Sequence, residues 1–262
     1  MKPTFNYVRI GCGYPIVDLW GINDSNFYNR LHIPLSGTAL LSIDKKNTQV
    51  LESGYAYLLP AGSNLSISTE AGEKYLHLYV DVYVSPWVVS KNPRVMKLDD
   101  DILLAKYTQI LQSALENEFD NKEILLKKGT LFLPDYLKLF LDSMLMYIFA
   151  RYDVRLSQDN MLDKALRYIY DHYSEDISNE DIAASIHIHS RHLIRIFKDS
   201  LKKTPQQFLN EYRIALAKAM LVDGQSVKKV CYSCGFNSTK TFGAVFKRVV
   251  GSTITDFMKK IK

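Results

Sequence analysis

The feature that most constrains this 262-residue chain is an internal repeat near its C-terminus. Ile182, Ala183, Ile186, Ile188, Leu193, Phe197-Lys198 and Phe208 recur as Val230, Cys231, Cys234, Phe236, Phe242, Phe246-Lys247 and Phe257. The second copy carries one extra residue in its turn. Each copy reads as a short apolar-faced helix, a tight turn and a second helix with its own apolar stripe. That is the plan of a helix-turn-helix, whose second helix enters the major groove of DNA. The expected helices are 179–186 and 190–201 in the first copy, 227–234 and 239–249 in the second. Ser178, followed by Asp181, suits a capping box, Ser238 suits an N-cap, and Gly235 suits a left-handed turn residue. Residues 205–221 should form one continuous helix of about 25 Å between the copies. A spacer of that length could hold two recognition helices about 34 Å apart, one turn of DNA.

Charge is distributed to match. The chain has a net formal charge of +5. Residues 1–155 are close to neutral, with 16 Lys and Arg against 17 Asp and Glu. Residues 177–262 carry 15 against 6. A basic terminal domain gains free energy on a polyanion because each neutralised phosphate releases counterions. A merely solvated basic surface would show the same count.

The run Ile182-Ala183, Leu193, Arg195, Phe197-Lys198, Pro205, Phe208-Leu209, Arg213-Ile214 and Ala217-Lys218-Ala219-Met220-Leu221 resembles the AraC/XylS regulators. Gly235-Phe236, Phe242, Phe246-Lys247, Gly251 and Phe257 continue the resemblance, which covers about 161–260. It implies a seven-helix domain with two DNA-binding motifs. The sequence departs from the family at His187, where Gly is usual, and at His189, where a Ser cap is usual. Ser252-Thr253-Ile254 also replaces the usual Thr-Pro. In the first recognition helix Ser190, Arg191, Ile194, Arg195 and Lys198 should face out; Leu193, Ile196 and Phe197 should be core. Arg191 and Arg195 are candidates for guanine, and Ile194 for a thymine methyl; phosphate contact alone is the plainer alternative. In the second, Thr239, Lys240, Thr241, Gly243 and Ala244 should face out. Gly243 and Ala244 lack hydrogen-bonding side chains, which shifts its part towards Lys247, Arg248 and DNA shape.

The front of the chain has a different texture. Short apolar runs at 39–43, 55–59 and 75–83 alternate with turn clusters at 21–24, 44–47, 60–64 and 70–74, as in an antiparallel barrel or sandwich. Gly54-x5-Pro60-x-Gly62 resembles the second motif of the cupin barrel, the effector domain this family usually carries. Metal-binding cupins place a His where this chain has Leu65, and no His-x-His occurs, so no metal or other cofactor is expected. Arg30, His32 and Ser36 share one strand parity, and Tyr75, His77 and Tyr79 another. Pointing inward, these six would line an effector site suited to a sugar; pointing outward, they would leave Leu76, Leu78 and Val80 as core. Cys231 and Cys234 fall on core positions of a helix, and Cys12 stands alone, so neither a redox pair nor a zinc-cysteine cluster is expected.

Behind the strands, Asp99-Asp100-Asp101 opens a helix with apolar residues from Ile102 to Leu115. A second helix, 134–152, is apolar on nearly every side and should be covered from several directions, a second copy of the chain among them. Leu137, Phe140, Met144, Leu145 and Phe149 follow one stripe, Leu139, Tyr136 and Tyr147 lie partly off it, and Leu141 and Ile148 occupy an intermediate face; the pattern does not select which of these faces meets a partner. Residues 153–160 read as a linker.

The expected architecture is therefore α+β: a cupin-like β-barrel at 1–95, a helical dimerisation segment at 96–156, and an all-α domain with two helix-turn-helix motifs at 157–262. The expected function is transcription regulation by sequence-specific DNA binding, without enzymatic activity. The expected partners are double-stranded DNA, a small-molecule effector, RNA polymerase and a second copy. No segment is apolar enough to span a bilayer and the first twenty residues do not resemble a signal peptide, which places the chain in the cytoplasm. The alternative from another class is a cupin-type enzyme or carbohydrate-binding protein with an accessory helical domain.

Overall fold

A computed structural model describes residues 3–13, 28–43, 47–61, 65–70, 74–86, 88, 92–118, 134–157, 161–222 and 224–260. The expected turn at 21–24 and Gly62 of the barrel motif lie outside these, as do parts of the turns at 44–47, 60–64 and 70–74. The chain divides into two units, residues 1–84 with 88–155, and residues 85–87 with 156–262. Among the described residues no helix is long and apolar enough to cross a membrane.

The front unit contains strands β1 (Thr4–Gly13), β2 (Asn29–Ser36), β3 (Thr38–Ile43), β4 (Asn47–Glu52), β5 (Tyr55–Leu59), β6 (Leu65–Ser68), β7 (Leu76–Ser85) and β8 (Arg94–Lys97). They make a five-stranded sheet in the order β1-β7-β2-β5-β8 and a three-stranded sheet in the order β4-β3-β6. Among the described residues no pairing joins the two sheets into a closed barrel. In the larger sheet Arg30 stands opposite Asp81, and His32 stands opposite Tyr79 on one side and Tyr57 on the other. This face looks towards the smaller sheet, since Tyr57 and Leu59 share a buried cluster with Ala39, Leu41, Ile43, Leu51 and Leu65.

The two expected settings of β7 were alternatives, one face wet and one dry. The structure buries both: His77 and Tyr79 on one face, Leu78, Val80 and Val82 on the other. A strand loses its alternation when layers cover both sides of its sheet. Helices supply the second cover. Phe5 of β1 meets Phe149 edge-on at 5.5 Å, and Tyr7 donates a hydrogen bond to Asp142 at 2.7 Å.

Those helices are α1 (Ile102–Glu118) and α2 (Asp135–Arg151). Asp101 caps α1, accepting from the Leu104 amide at 3.0 Å, and also accepts from the hydroxyls of Tyr147 and Tyr152. One carboxylate thereby ties the start of α1 to the end of α2. The buried stripe of α2 is Leu137, Leu141, Met144, Leu145, Ile148 and Phe149. Leu141 and Ile148 are thus core residues of the monomer, so the intermediate face is turned inward. Phe140 is only half-buried, against Tyr107 at 5.3 Å. A helix apolar all round hides which 100° sector is inward; only the packing reveals it.

The C-terminal unit contains α3 (Met161–His172), α4 (Asn179–Ser185), α5 (Ser190–Leu201), α6 (Pro205–Val222), α7 (Val227–Ser233), α8 (Thr239–Val250) and α9 (Ile254–Lys260). Helix α6 is buried along most of its length, with Phe208, Leu209, Tyr212, Ile214, Ala217 and Leu221 among its inward residues. The α4–α5 pair and the α7–α8 pair are built around it.

Candidate functional sites

The two helix pairs use the same turn. After α4, the amide of His187 donates to the Ala184 carbonyl at 3.1 Å and that of Ile188 to Ala183 at 3.0 Å. After α7, Gly235 donates to Tyr232 at 3.0 Å and Phe236 to Cys231 at 3.1 Å. This is one Schellman motif built twice, with its left-handed residue at φ 58° in His187 and 77° in Gly235. The departure from Gly at 187 therefore leaves the turn intact and places a β-carbon in the left-handed region. Ser178 and Asp181 form the full capping box at α4, and Ser238 accepts from the Thr241 amide at α8. His189 makes no side-chain cap at α5.

The caps fix which faces of α5 and α8 are inward. Leu193 and Phe197 bury one side of α5, and Ile196 is half-buried. Arg191, Arg195 and Lys198 follow one another at helical spacing on the exposed side, with Ser190 and Ile194 half-buried beside them. On α8, Phe242, Val245, Phe246 and Val250 are buried. Thr239, Lys240, Thr241, Ala244, Lys247 and Arg248 are exposed. Gly243 is half-buried, and a β-carbon there would meet nothing within 4 Å, so the middle of α8 has a bare backbone surface. The arrangement offers two basic helices with hydrogen-bond donors suited to phosphates and base edges.

The sequence reading placed Arg213 in the family motif but gave it no role. It is 5% exposed, beneath the turn that precedes α4. Its Nε donates to the Tyr173 carbonyl at 2.7 Å and its Nη2 to the Glu175 carbonyl at 2.6 Å. Basic side chains are ordinarily read as surface. The signals were its place in the family motif and on the inward side of a helix otherwise apolar there.

In the front unit, five of the six expected effector residues come together. The His32 and His77 rings stack at 4.6 Å, Tyr75 lies on His77 at 5.4 Å, and Tyr79 on His77 at 5.4 Å. The His32 Nε2 is 2.6 Å from the Tyr75 hydroxyl. Arg30 continues the row, its guanidinium 5.6 Å from the Tyr79 ring, and makes a two-pronged bond to Asp81. Asp81 was absent from the sequence-based set; it is the register partner of Arg30. Ser36 is separated from the others, as a correction. A register irregularity between Pro34 and Ser36 breaks the period-two alternation, and Ser36 is exposed. Burial first, then the neighbouring His77 and Arg30, hold His32 well below the usual histidine range. Burial, then Arg30, pushes His77 down to about 3. Asp81 neutralises Arg30, so the row carries no net charge at neutral pH. Among the described residues no cluster of three or more His, Cys, Asp or Glu stands where a metal ion could be held. Cys231 and Cys234 are buried core thiols, and burial pushes the Cys234 thiol up to about 12.

Residues 182–260 match a family model described as a helix-turn-helix domain. The chain is 31% identical over 93 residues to the HTH-type transcriptional activator RhaS of Klebsiella pneumoniae, covering 35% of this chain and 34% of RhaS. It is 33% identical over 103 residues to the uncharacterized HTH-type transcriptional regulator YdeC of Bacillus subtilis, covering 39% of this chain and 35% of YdeC. The chain thus matches about a third of the length of these relatives. Among solved structures, ToxT from Vibrio cholerae superposes with a TM-score of 0.58 at 15% identity, covering 100% of this chain and 98% of ToxT. Wild-type ToxT with an unsaturated fatty acid bound gives 0.58 at 13% identity, covering 98% and 94%. Those likenesses show the fold, mixed α+β with front sheets and a helical C-terminal domain.

Proposed function

We propose that this chain, an AraC/XylS-type protein by its C-terminal helix-turn-helix domain, is a transcription regulator that binds DNA sequence-specifically and answers to a small molecule. The observation that carries the reading is the repeated Schellman turn, which presents an exposed basic second helix from each of two like helix pairs. Both pairs are taken as helix-turn-helix motifs. Arg191 and Arg195 read guanines, Ile194 meets a thymine methyl, and Ser190 and Lys198 hold the backbone. On α8, Thr239, Lys240, Thr241, Lys247 and Arg248 contact phosphates, while Gly243 and Ala244 admit the duplex closely without reading it.

The two front sheets form an open cupin-like barrel, residues 1–95, and the row from Arg30 to Tyr75 orients the effector inside it. Its neutral imidazole and phenol groups suit an uncharged polar ligand, a sugar among them, better than an acid. Residues 96–156 make the dimer and 157–262 the DNA-binding domain. The protein acts in the cytoplasm on RNA polymerase and catalyses no reaction. A gel shift on the DNA upstream of its own gene tests the central claim. Retardation should survive an excess of random duplex. Absence of any retardation would favour the cupin-type enzyme or carbohydrate-binding protein instead.

A further inference from the structure

Two turns that are far apart in sequence press together beneath the helix pairs. Residues 173–176 lead into α4, and residues 235–237 connect α7 to α8. Arg213, from the middle of α6, lies between them. It donates to the Tyr173 and Glu175 carbonyls at 2.7 and 2.6 Å, and its guanidinium lies 5.5 Å from the Phe236 ring. The fit at Gly235 is close enough that a β-carbon there would stand 2.5 Å from the Tyr173 carbonyl oxygen and 2.9 Å from Arg213 Nη2. At the outer end of the seam Asn237 Nδ2 donates to Asp176 at 3.1 Å. The entrance to the first helix pair is thus held to α6 by one buried fork whose face lies against Phe236 in the turn of the second, in addition to their shared packing on α6.

We propose that Arg213 is a positioning residue that fixes the separation at which α5 and α8 engage DNA, so that the protein tolerates one spacing between its two base-pair blocks. The proposal rests on the DNA-binding reading above. The physical reason is that a planar guanidinium with two carbonyl acceptors and an aromatic face resists rotation, where packing of two helices on a third permits small sliding. Inserting one base pair between the blocks turns the second groove by about 35° and moves it about 3.4 Å along the axis. A clamped pair cannot follow that change. A pair held by α6 alone can follow part of it.

The test uses the full chain and a pool of duplexes with about 30 random base pairs, three helical turns. Selection by the wild type should enrich two blocks at one separation. Affinity is then measured for the selected duplex, for the same duplex with one base pair inserted, and for one with a block scrambled. The insertion should cost the wild type about tenfold, the scale of one mismatched position. Arg213→Lys keeps the charge and loses the fork; Asn237→Ala removes only the outer, exposed bridge. Each should cut the insertion penalty to about threefold or less on that same scale while leaving affinity for the scrambled duplex unchanged. A folded Arg213→Lys that keeps the tenfold penalty overturns the proposal, as does an equal loss on all three duplexes. If circular dichroism shows Arg213→Lys unfolded, Arg213→Gln, which keeps an amide donor but neither the fork nor the charge, is measured in its place and judged by the same outcomes. A wild type that enriches no sequence overturns the DNA-binding reading itself, and the proposal with it.

Discussion

His32 and His77 lie ring on ring inside the front unit, 4.6 Å between centroids and 16° between planes, on adjacent strands β2 and β7. Both stay neutral in the fold. Burial first, then the charge of Arg30, lowers His77 to about 3, and His32 is likewise held well below its ordinary value. The unfolded chain takes up protons near pH 6.5, and the folded chain does not. Stability contributed by the two rings is therefore present above that pH and is lost progressively as pH falls towards 3, by up to about 1.4 kcal/mol per pH unit for each ring. Thermal unfolding should show a midpoint that drops between pH 7 and pH 5. His77→Phe, which keeps a stacked ring but removes a titrating group, should flatten that slope. Parallel slopes for variant and wild type would show that the pair does not govern it.

Three left-handed positions in the C-terminal unit should respond differently to a change at the β-carbon. Gly251 has φ 81° and open space around it, so Gly251→Ala should cost about 1–2 kcal/mol, the steric price of that backbone region alone. Gly235 adds contacts at 2.5 and 2.9 Å, so Gly235→Ala should cost roughly twice as much or more. His187→Gly relieves the existing strain at φ 58° against a larger unfolded-state entropy, for a net gain of about 0.5 kcal/mol. Urea unfolding of the three variants checks the order. A Gly235→Ala no worse than Gly251→Ala would refute the close approach.

Under the proposed dimer, the helical surface left for a second copy is the exposed side of α1 and α2. Leu139 is 69% exposed and Ile110 54%, whereas Leu141 is fully buried in the monomer. Leu139→Asp and Ile110→Asp should give a folded monomer by sedimentation, with weaker binding to tandem sites. Leu141→Asp should bury an unpaired charge and destabilise the fold by several kcal/mol. An unchanged dimer with both exposed substitutions would move the interface elsewhere.

On DNA, Arg195→Ala should cost about 1–3 kcal/mol on a specific site and relax preference at one base pair. Lys247→Ala should weaken all duplexes alike and make the salt dependence shallower by about one unit of slope. Equal losses on specific and random DNA for Arg195→Ala would remove its base-reading role.

The boundary between what the sequence determined and what the tertiary structure decided follows the range of the forces involved. Helices α4 to α8 were legible to within a residue at each end, because their caps, turns and stripes are local: Ser178 with Asp181, Gly235, Ser238, and the spacing of Leu193 and Phe197 or Phe242 and Phe246. The same spacing placed Arg191, Arg195 and Lys247 on the outside. Strand parity was also local, and it grouped Arg30 with His32 and His77 with Tyr79. Only the third dimension decided that β7 is buried on both faces, that a register break expels Ser36, and that Asp81 meets Arg30. The same holds for the sector of α2 that is core and for Arg213, whose acceptors lie 38 and 40 residues away in the chain. A cap or a stripe is set by neighbours three or four residues apart, whereas burial of a polar group depends on partners that chain-distant segments deliver, and no local pattern encodes which segment will arrive.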